Sequence, residues 1–451
     1  METNKIKEMR RTVLFILIVL FAMKTFSQTT KTYTLPECIA FGLQNHASAE
    51  VYKNNIQIAK EQEHQAISAY LPQANASFNS TNNIKMQTTV IPAGILGPNE
   101  VEMQFGKQYI NNAVVDVSQT LYDQSKINNI RAGQRNIEIA RLQDKQNSDL
   151  LIYNIAQAYF QVMIYSEYES KLRKNIESYQ QLYKILELQY DKGVVVETDL
   201  ERIKVVLKST EYQFNEIVTQ QRNSLDNLKN VMGLPLEAEL NLSDTTSYEK
   251  YIIFPEIRAF SKDSLNEYTI NKTSVELQRI NYQNKKATFL PTVNTFARLG
   301  NQAYDESYSS SFDSWNNYSY IGFSVNIPIL TGLRRTSQVK ESKIAYLNAS
   351  TNLELAKNNY QLRFQNAEKS LLSAYNSCLN NADNLELAQK IYNKTNFSYQ
   401  KGSVPLSDYL NDDNALKNAQ TNYINSRFSY MMARLEYEKA KGTLFTFYNQ
   451  L

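Results

Sequence analysis

Between Gly133 and Gly193 the chain contains neither glycine nor proline, and the same holds between Gly332 and Gly402. Inside a helix, glycine costs about 1 kcal/mol and proline about 3 kcal/mol relative to alanine. Each stretch therefore reads as one uninterrupted helix, roughly 90 to 100 Å long at 1.5 Å per residue. A typical globular helix has only about 10–14 residues, so these two need a coiled-coil or barrel setting. The apolar seam agrees. Leu151, Ile155, Ala158, Val162, Tyr165, Leu172, Ile176, Tyr179, Tyr183, Leu186 and Tyr190 step by alternating fours and threes, broken only at Glu169. Such a period specifies left-handed supercoiling against a partner helix. Leu200, Ile203, Leu207, Phe214 and Ile217, beyond Gly193, supply a partner at matching spacing.

The long helices belong to a duplication. Tyr70-Leu71-Pro72 recurs as Phe289-Leu290-Pro291, Val117 to Asp123 as Val325 to Thr331, and Tyr190-Asp191-Lys192-Gly193 as Tyr399-Gln400-Lys401-Gly402, at offsets of 219, 208 and 209. Each half reads helix, Leu-Pro, two strands, long helix, glycine turn, helix. The strands are expected at about 74–86, 108–121, 291–303 and 317–330. Their signal is period-two alternation. Ala74, Ala76 and Phe78 oppose Asn75, Ser77 and Asn79; Ala113, Val115 and Val117 oppose Asn112, Asp116 and Ser118; Ile321, Phe323, Val325 and Ile327 oppose Tyr320, Ser324 and Asn326.

An apolar sheet face in water needs a core, yet the flanking helices spend their seams on each other. A lipid-facing side and a watery lumen resolve this, as in outer-membrane barrels. Four strands cannot close a barrel, the smallest having about 8, so several chains must contribute; three would give twelve. Residues 87–106 and 304–315 would then be the outward loops. Trp315, Tyr304, Tyr308, Tyr318 and Tyr320 lie near strand ends, where aromatic girdles sit.

The N-terminus fits this destination. Lys5, Lys7, Arg10 and Arg11 precede an apolar run from Val13 to Met23, followed by small and polar residues around Ser27. This is the pattern of a secretory signal peptide, too short for the ~20 apolar residues of a spanning helix. The formal charge of +3 is accounted for by that segment, leaving the remainder near neutral. No basic footprint for nucleic acid remains. Cys38 and Cys378 are the only cysteines. Disulfide scaffolds are small and cysteine-dense, so two buried thiols are expected rather than a bridge. The two histidines, His46 and His64, form no metal-ligand spacing. A phosphate-cradling glycine loop and a nucleophile elbow are both missing. The expectation is a non-enzyme with no cofactor and no metal.

These motifs, with Ile327-Pro328-Ile329-Leu330-Thr331-Gly332 entering the second long helix and Leu35-Pro36-Glu37-Cys38-Ile39-Ala40 leading to Asn45, resemble the TolC-type outer-membrane efflux family. The likeness covers nearly the whole chain after residue 27. It implies a mainly α fold with a small β part: a long coiled-coil α-helical barrel, four transmembrane β-strands per chain, and a homotrimer whose 12-stranded barrel sits in outer-membrane lipid with the helices in the periplasm. The organisation expected is a signal peptide at 1–27, a first repeat at 28–233, a connecting segment at 234–270 and a second repeat at 271–451. The implied partners are a periplasmic adaptor and an inner-membrane pump, in an efflux or type I secretion system; drug, metabolite, ion and protein cargo all remain open. The rival is an envelope coiled-coil structural or adaptor protein, which would not need two strand pairs in register with a repeat.

The resemblance also assigns residues. Asp408, six after Gly402, matches the acidic ring at the periplasmic constriction, where three carboxylates would form a cation-attracting gate. A solvated acidic helix start beside the helix dipole is the alternative for Asp408. The second acidic position is Asn411 here, with Asp412 and Asp413 beyond it, and Asp412 is carried as a gate candidate. Asp199, with Thr198 beside it, and Tyr399 match a link that holds the tip closed. The arginine of that link is Val404 here, so the lock would rest on an Asp199 to Tyr399 hydrogen bond. Lys192, Gly193, Lys401 and Gly402 would meet the adaptor.

Overall fold

The computed structural model describes residues 32–243, 252, 254 and 259–448. The signal-peptide segment lies outside them, as does part of the connecting segment. In chain order the elements are β1 (Thr32–Tyr33), α1 (Leu35–Asn45), α2 (Ala47–Ser68), β2 (Gln73–Asn82), β3 (Thr88–Ile91), β4 (Val101–Gln104), β5 (Tyr109–Tyr122), α3 (Gln124–Asp191), α4 (Glu197–Met232) and β6 (Asn241–Leu242). The second half adds α5 (Asn266–Ala287), β7 (Thr292–Asp305), β8 (Trp315–Asn326), α6 (Arg334–Gln400), α7 (Leu406–Lys441) and α8 (Leu444–Tyr448). The two glycine-free stretches are helical, α3 with 68 residues and α6 with 67.

The chain divides into two units. One comprises Ser48–Asn147 and Phe260–Arg363 and contains the sheet. Its strand order is β2-β5-β7-β8, antiparallel throughout. Register sorts the side chains by face. Val115 pairs with Ala76 and Leu299, and Val117 with Ala74 and Ala297, which pairs in turn with Ile321. The other face carries Asp116 opposite Arg298, itself opposite Tyr320. Arg298 grips Asp116 through two bonds, Nε to Oδ1 at 2.5 Å and Nη2 to Oδ2 at 2.9 Å. Rings fill the polar face where the partner strand has glycine: Tyr318 lies over Gly300 and Phe296 over Gly322. Tyr318 and Tyr320 thus belong to the polar face rather than to an apolar girdle.

The apolar face stays uncovered. Phe78, Leu299, Ile321 and Phe323 are exposed, Ile321 at 81% and Phe323 at 75%. Each such side chain forgoes about 1.5–3 kcal/mol while it remains in water. Among the described residues, β2 and β8 each keep one edge unpaired.

Strand bounds differ from expectation in instructive ways. The first strand ends at Asn82, not 86, because Asn83 turns back on the chain: its N–H donates to Gln108 O at 2.7 Å and its side chain to Lys107 O at 3.0 Å. Within the expected loop 87–106, β3 and β4 pair as a separate hairpin. The fourth strand runs 315–326 rather than 317–330. Pro328 has no N–H to give a ladder, and the backbone leaves the strand before it. Asn111 reaches across to Ser311, donating to its carbonyl at 2.9 Å and its hydroxyl at 2.8 Å, and so seats the turn between β7 and β8. At the strand-to-helix junction, Asp123 caps α3 by accepting from the Ser125 N–H at 2.8 Å, while the Tyr70 hydroxyl donates to Asp123 O at 2.7 Å.

The second unit comprises residues up to Ala47, Ser148–Ala259 and Phe364 onward. Its main core joins Leu35, Cys38 and Ile39 of α1 to Ile152, Ile155, Tyr159 and Met163 of α3, Leu228 and Met232 of α4, and Met431 and Leu435 of α7. The seam on α3 is wider than a heptad predicts. Ile152, Ala156, Phe160 and Ile164 are buried beside Leu151, Ile155, Ala158 and Val162, so α3 faces neighbours on several sides here. Farther along, Tyr179 and Leu186 are buried and Tyr190 emerges, 40% exposed. Gly42 is where α1 touches α3: a Cβ there would collide with the Ile155 Cδ1 methyl. Both cysteines are buried free thiols, with Cys38 pushed up to about 12 by burial. Within the expected connecting segment, 234–270, some of the described residues carry structure. Leu240 packs into this core, Asn241–Leu242 pairs in parallel with β1, and α5 already begins at Asn266. Among the described residues no helix is long and apolar enough to cross a membrane.

Candidate functional site

Two helical hairpins, α3–α4 and α6–α7, turn with the same geometry. Gly193 (φ 69°) donates to Tyr190 O at 2.8 Å, and Val194 to Gln189 O at 2.8 Å. Gly402 (φ 73°) donates to Tyr399 O at 2.9 Å, and Ser403 to Ser398 O at 2.9 Å. Glycine tolerates this left-handed region, and the paired bonds satisfy carbonyls that the helix end leaves open. Lys192, Gly193, Lys401 and Gly402 are all exposed at these turns. The Lys401 ammonium lies 5.5 Å from the centre of the Phe397 ring.

Beyond each turn, Val196 and Pro405 take the N-cap position. Asp199 and Asp408 follow at equivalent places in the first helical turn, their N–H groups donating to Val196 O at 3.0 Å and Pro405 O at 3.2 Å. A carboxylate there meets the positive end of the helix dipole. The two residues then differ. Asp199 is half-buried and accepts from Arg202 Nη1 at 2.9 Å. Asp408 is exposed and accepts from the Ser407 hydroxyl at 3.3 Å.

The expected Asp199 to Tyr399 hydrogen bond is not made: Arg202 takes the carboxylate, as a charge-assisted bond outcompetes a neutral phenol. Asp199 is still close enough that its charge, after burial, raises the Tyr399 hydroxyl. Tyr399 instead stacks on Tyr409, centroids 5.1 Å apart, and the Tyr409 hydroxyl sits 3.1 Å from that of Tyr392. Thr198 is exposed. Asp412 is drawn away from the site assigned to it. It is half-buried and accepts from the Thr395 hydroxyl at 2.5 Å, so the carboxyl is spent on fastening α7 to α6.

Sequence reasoning passed over Asp413. It is buried and accepts from the Tyr179 hydroxyl of α3 and from Lys417 Nζ at 3.0 Å. Lys417 also stands 3.8 Å from the centre of the Tyr179 ring. Burial pushes Asp413 up to about 7 and Lys417 down to about 8. The i, i+4 spacing of Asp413 and Lys417 was readable; the ring that Tyr179 brings from more than two hundred residues away was not. Among the described residues no cluster of metal-ligating side chains is present.

Duplicated long hairpins joined to a short antiparallel sheet, one face apolar and exposed and the other polar, define the chain of an outer-membrane channel. The outer membrane efflux protein family matches residues 43–234 and 271–443, one stretch in each repeat. The chain belongs to this family and is an outer-membrane protein. It is 24% identical over 353 residues to outer membrane protein TolC of Escherichia coli K12, covering 74% of this chain and 69% of that one. Outer membrane efflux protein BepC of Brucella suis is 22% identical over 424 residues, covering 92% and 87%. Among solved structures, the CmeC outer membrane channel of Campylobacter jejuni superposes with a TM-score of 0.74 at 18% identity, over 93% of this chain and 90% of that one.

Proposed function

We propose that three copies of this chain form an outer-membrane conduit that receives substrate from an inner-membrane pump through a periplasmic adaptor, and that the protein itself performs no chemistry. The observation that carries this reading is the four-stranded sheet with an exposed apolar face and two unpaired edges. A second copy offers β2 to β8, and three copies supply twelve strands, an even number above the smallest barrels of about 8. The apolar face then meets lipid, and Asp116, Arg298 and Tyr320 line water. Asp408, the gate candidate, presents an exposed carboxylate, and three such groups around a narrow throat would favour cations. Lys192, Gly193, Lys401 and Gly402 form the exposed turns that an adaptor would meet.

A photo-crosslinking residue at Lys401 in intact cells tests the partnership. Capture of a periplasmic adaptor supports it, and the adaptor's cognate pump then indicates drug efflux or protein export. Capture of the chain's own copies alone overturns docking at this turn. Planar-bilayer recording tests the conduit: a purified protein that stays a detergent-independent soluble rod and conducts nothing returns the reading to an envelope coiled-coil protein.

A further inference from the structure

The two halves join their strands differently. Where the second half passes from β7 to β8 through 306–314, the first spends 83–108 between β2 and β5 and folds β3 and β4 inside it. Direct pairing places Thr89 with Met103 and Ile91 with Val101 on one face of this hairpin, and Thr88 with Gln104 and Val90 with Glu102 on the other. The first face is apolar beyond Thr89. The tip adds Ile95 and Leu96, 69% and 61% exposed. Two short strands are marginal in water by themselves, and among the described residues β3 and β4 pair only with each other. The base is nevertheless held, by the Asn83 bonds to Gln108 and Lys107 and by Lys107 Nζ on Glu306 at 3.0 Å. An anchored base under an uncovered apolar face calls for a surface to lie on.

The chain's own sheet does not offer one. The turn between β7 and β8 already folds onto β5, with Asn111 bonded to Ser311 and Tyr109 edge-on to Tyr308, centroids 5.6 Å apart. That turn itself presents exposed rings, Tyr308, Phe312 and Trp315. The Trp315 indole is pinned, its N–H donating to Phe312 O at 2.9 Å. Register puts Asn82, the last residue of β2, and Trp315, the first of β8, at the same end of the sheet. When β2 of one copy pairs antiparallel with β8 of the next, the hairpin therefore leaves the sheet beside that copy's Trp315. Four residues at about 3.3 Å reach about 13 Å, against a strand spacing of about 4.8 Å. Laid sideways, the hairpin spans the outer ends of β8 and β7 in the next copy.

We propose that the β3–β4 hairpin is a latch between copies of this chain. Its Ile91, Val101 and Met103 face and its Ile95-Leu96 tip lie across the β7–β8 turn of the next copy, against Phe312 and Trp315. A pinned tryptophan loses little freedom on being covered, and buried aromatics carry much of the energy of protein contacts. The contact is head-to-tail, so three copies make three latches and the ring closes. The latch rests on the conduit reading and deepens it, naming what fastens each β2–β8 seam at the outer rim.

The test uses two differently tagged full-length copies made in the same cells, only one carrying a photo-crosslinking residue at Leu96. Illumination should join the two tags, through Leu96 on one side and a peptide within 306–316 on the other. A probe at Phe312 should capture 88–104 of the other copy. Tags that stay separate, joining through other peptides only, capture confined to a chain's own turn, or adducts with lipid or a different protein alone overturn the latch. Unheated gels give a second check. Ile91→Ser with Met103→Ser should lower the temperature at which the trimer separates, and Thr88→Ser on the polar face should leave it unchanged; equal temperatures in both overturn the latch. The same gels keep the two ideas apart: trimers without the Leu96 link sink the latch alone, whereas a chain that never migrates as a trimer sinks the conduit with it.

Discussion

The two hairpins share a backbone and differ in what their side chains do with it. Both turn on a positive-φ glycine and place an acid at the same point of the following helix. In the first hairpin that acid, Asp199, is tied to Arg202; in the second, Asp408 is left open to solvent. Seven residues past the glycine, Leu200 is half-buried, whereas its counterpart Tyr409 is buried, stacked on Tyr399 and beside the Tyr392 hydroxyl. Duplication preserved the turn and released the surface, so the first hairpin spends its acid on Arg202 of the same helix while the second packs Tyr399, Tyr409 and Tyr392 together.

The largest expected difference lies at that seventh position. Tyr409→Ala should cost about 3–5 kcal/mol, the range for a buried aromatic truncated in a core. Leu200→Ala, at a half-buried site, should fall below about 2 kcal/mol, under the usual range for buried leucine. Denaturant midpoints in detergent check the pair, and equal costs would break the claim of asymmetric packing. Next come the turns. Alanine at Gly193 or Gly402 should cost about 1–2 kcal/mol, the penalty of a side chain in the left-handed region. The two values should match, since nothing crowds either Cβ position. The smallest stability effect belongs to the acids: Asp199→Asn and Asp408→Asn should each lose under about 1 kcal/mol, from the helix dipole and an exposed pair. Their separation should appear in reversal potentials instead. Cation preference falls in Asp408→Asn and persists in Asp199→Asn; preference unchanged in both removes Asp408 from the gate.

Much of this architecture was legible because it repeats or is periodic. Glycine-free runs marked α3 and α6, alternation marked the faces of β2, β5 and β8, and the repeated Tyr-x-x-Gly marked both turns. Three features were not legible, for separate reasons. The β3–β4 hairpin has only four residues per strand, too few for alternation to stand out. Asp412 and Asp199 were assigned by position, and position says nothing about whether Thr395 or Arg202 has already claimed the carboxylate. The site around Asp413 depends on a contact between the hairpins, which neither local spacing nor the duplication encodes.

The unpaired edges of β2 and β8 bear on the life of the protein before it reaches its destination. An open edge is a template that any strand can join, and this one comes with a greasy face. A lone subunit is therefore a hazard during transit, and in the proposed conduit its sheet gains its missing hydrogen bonds by meeting further copies of the chain. Completion then depends on how many newly made copies are nearby, by mass action, so dilute or unevenly exported chains should be the ones that proteases and holding chaperones remove.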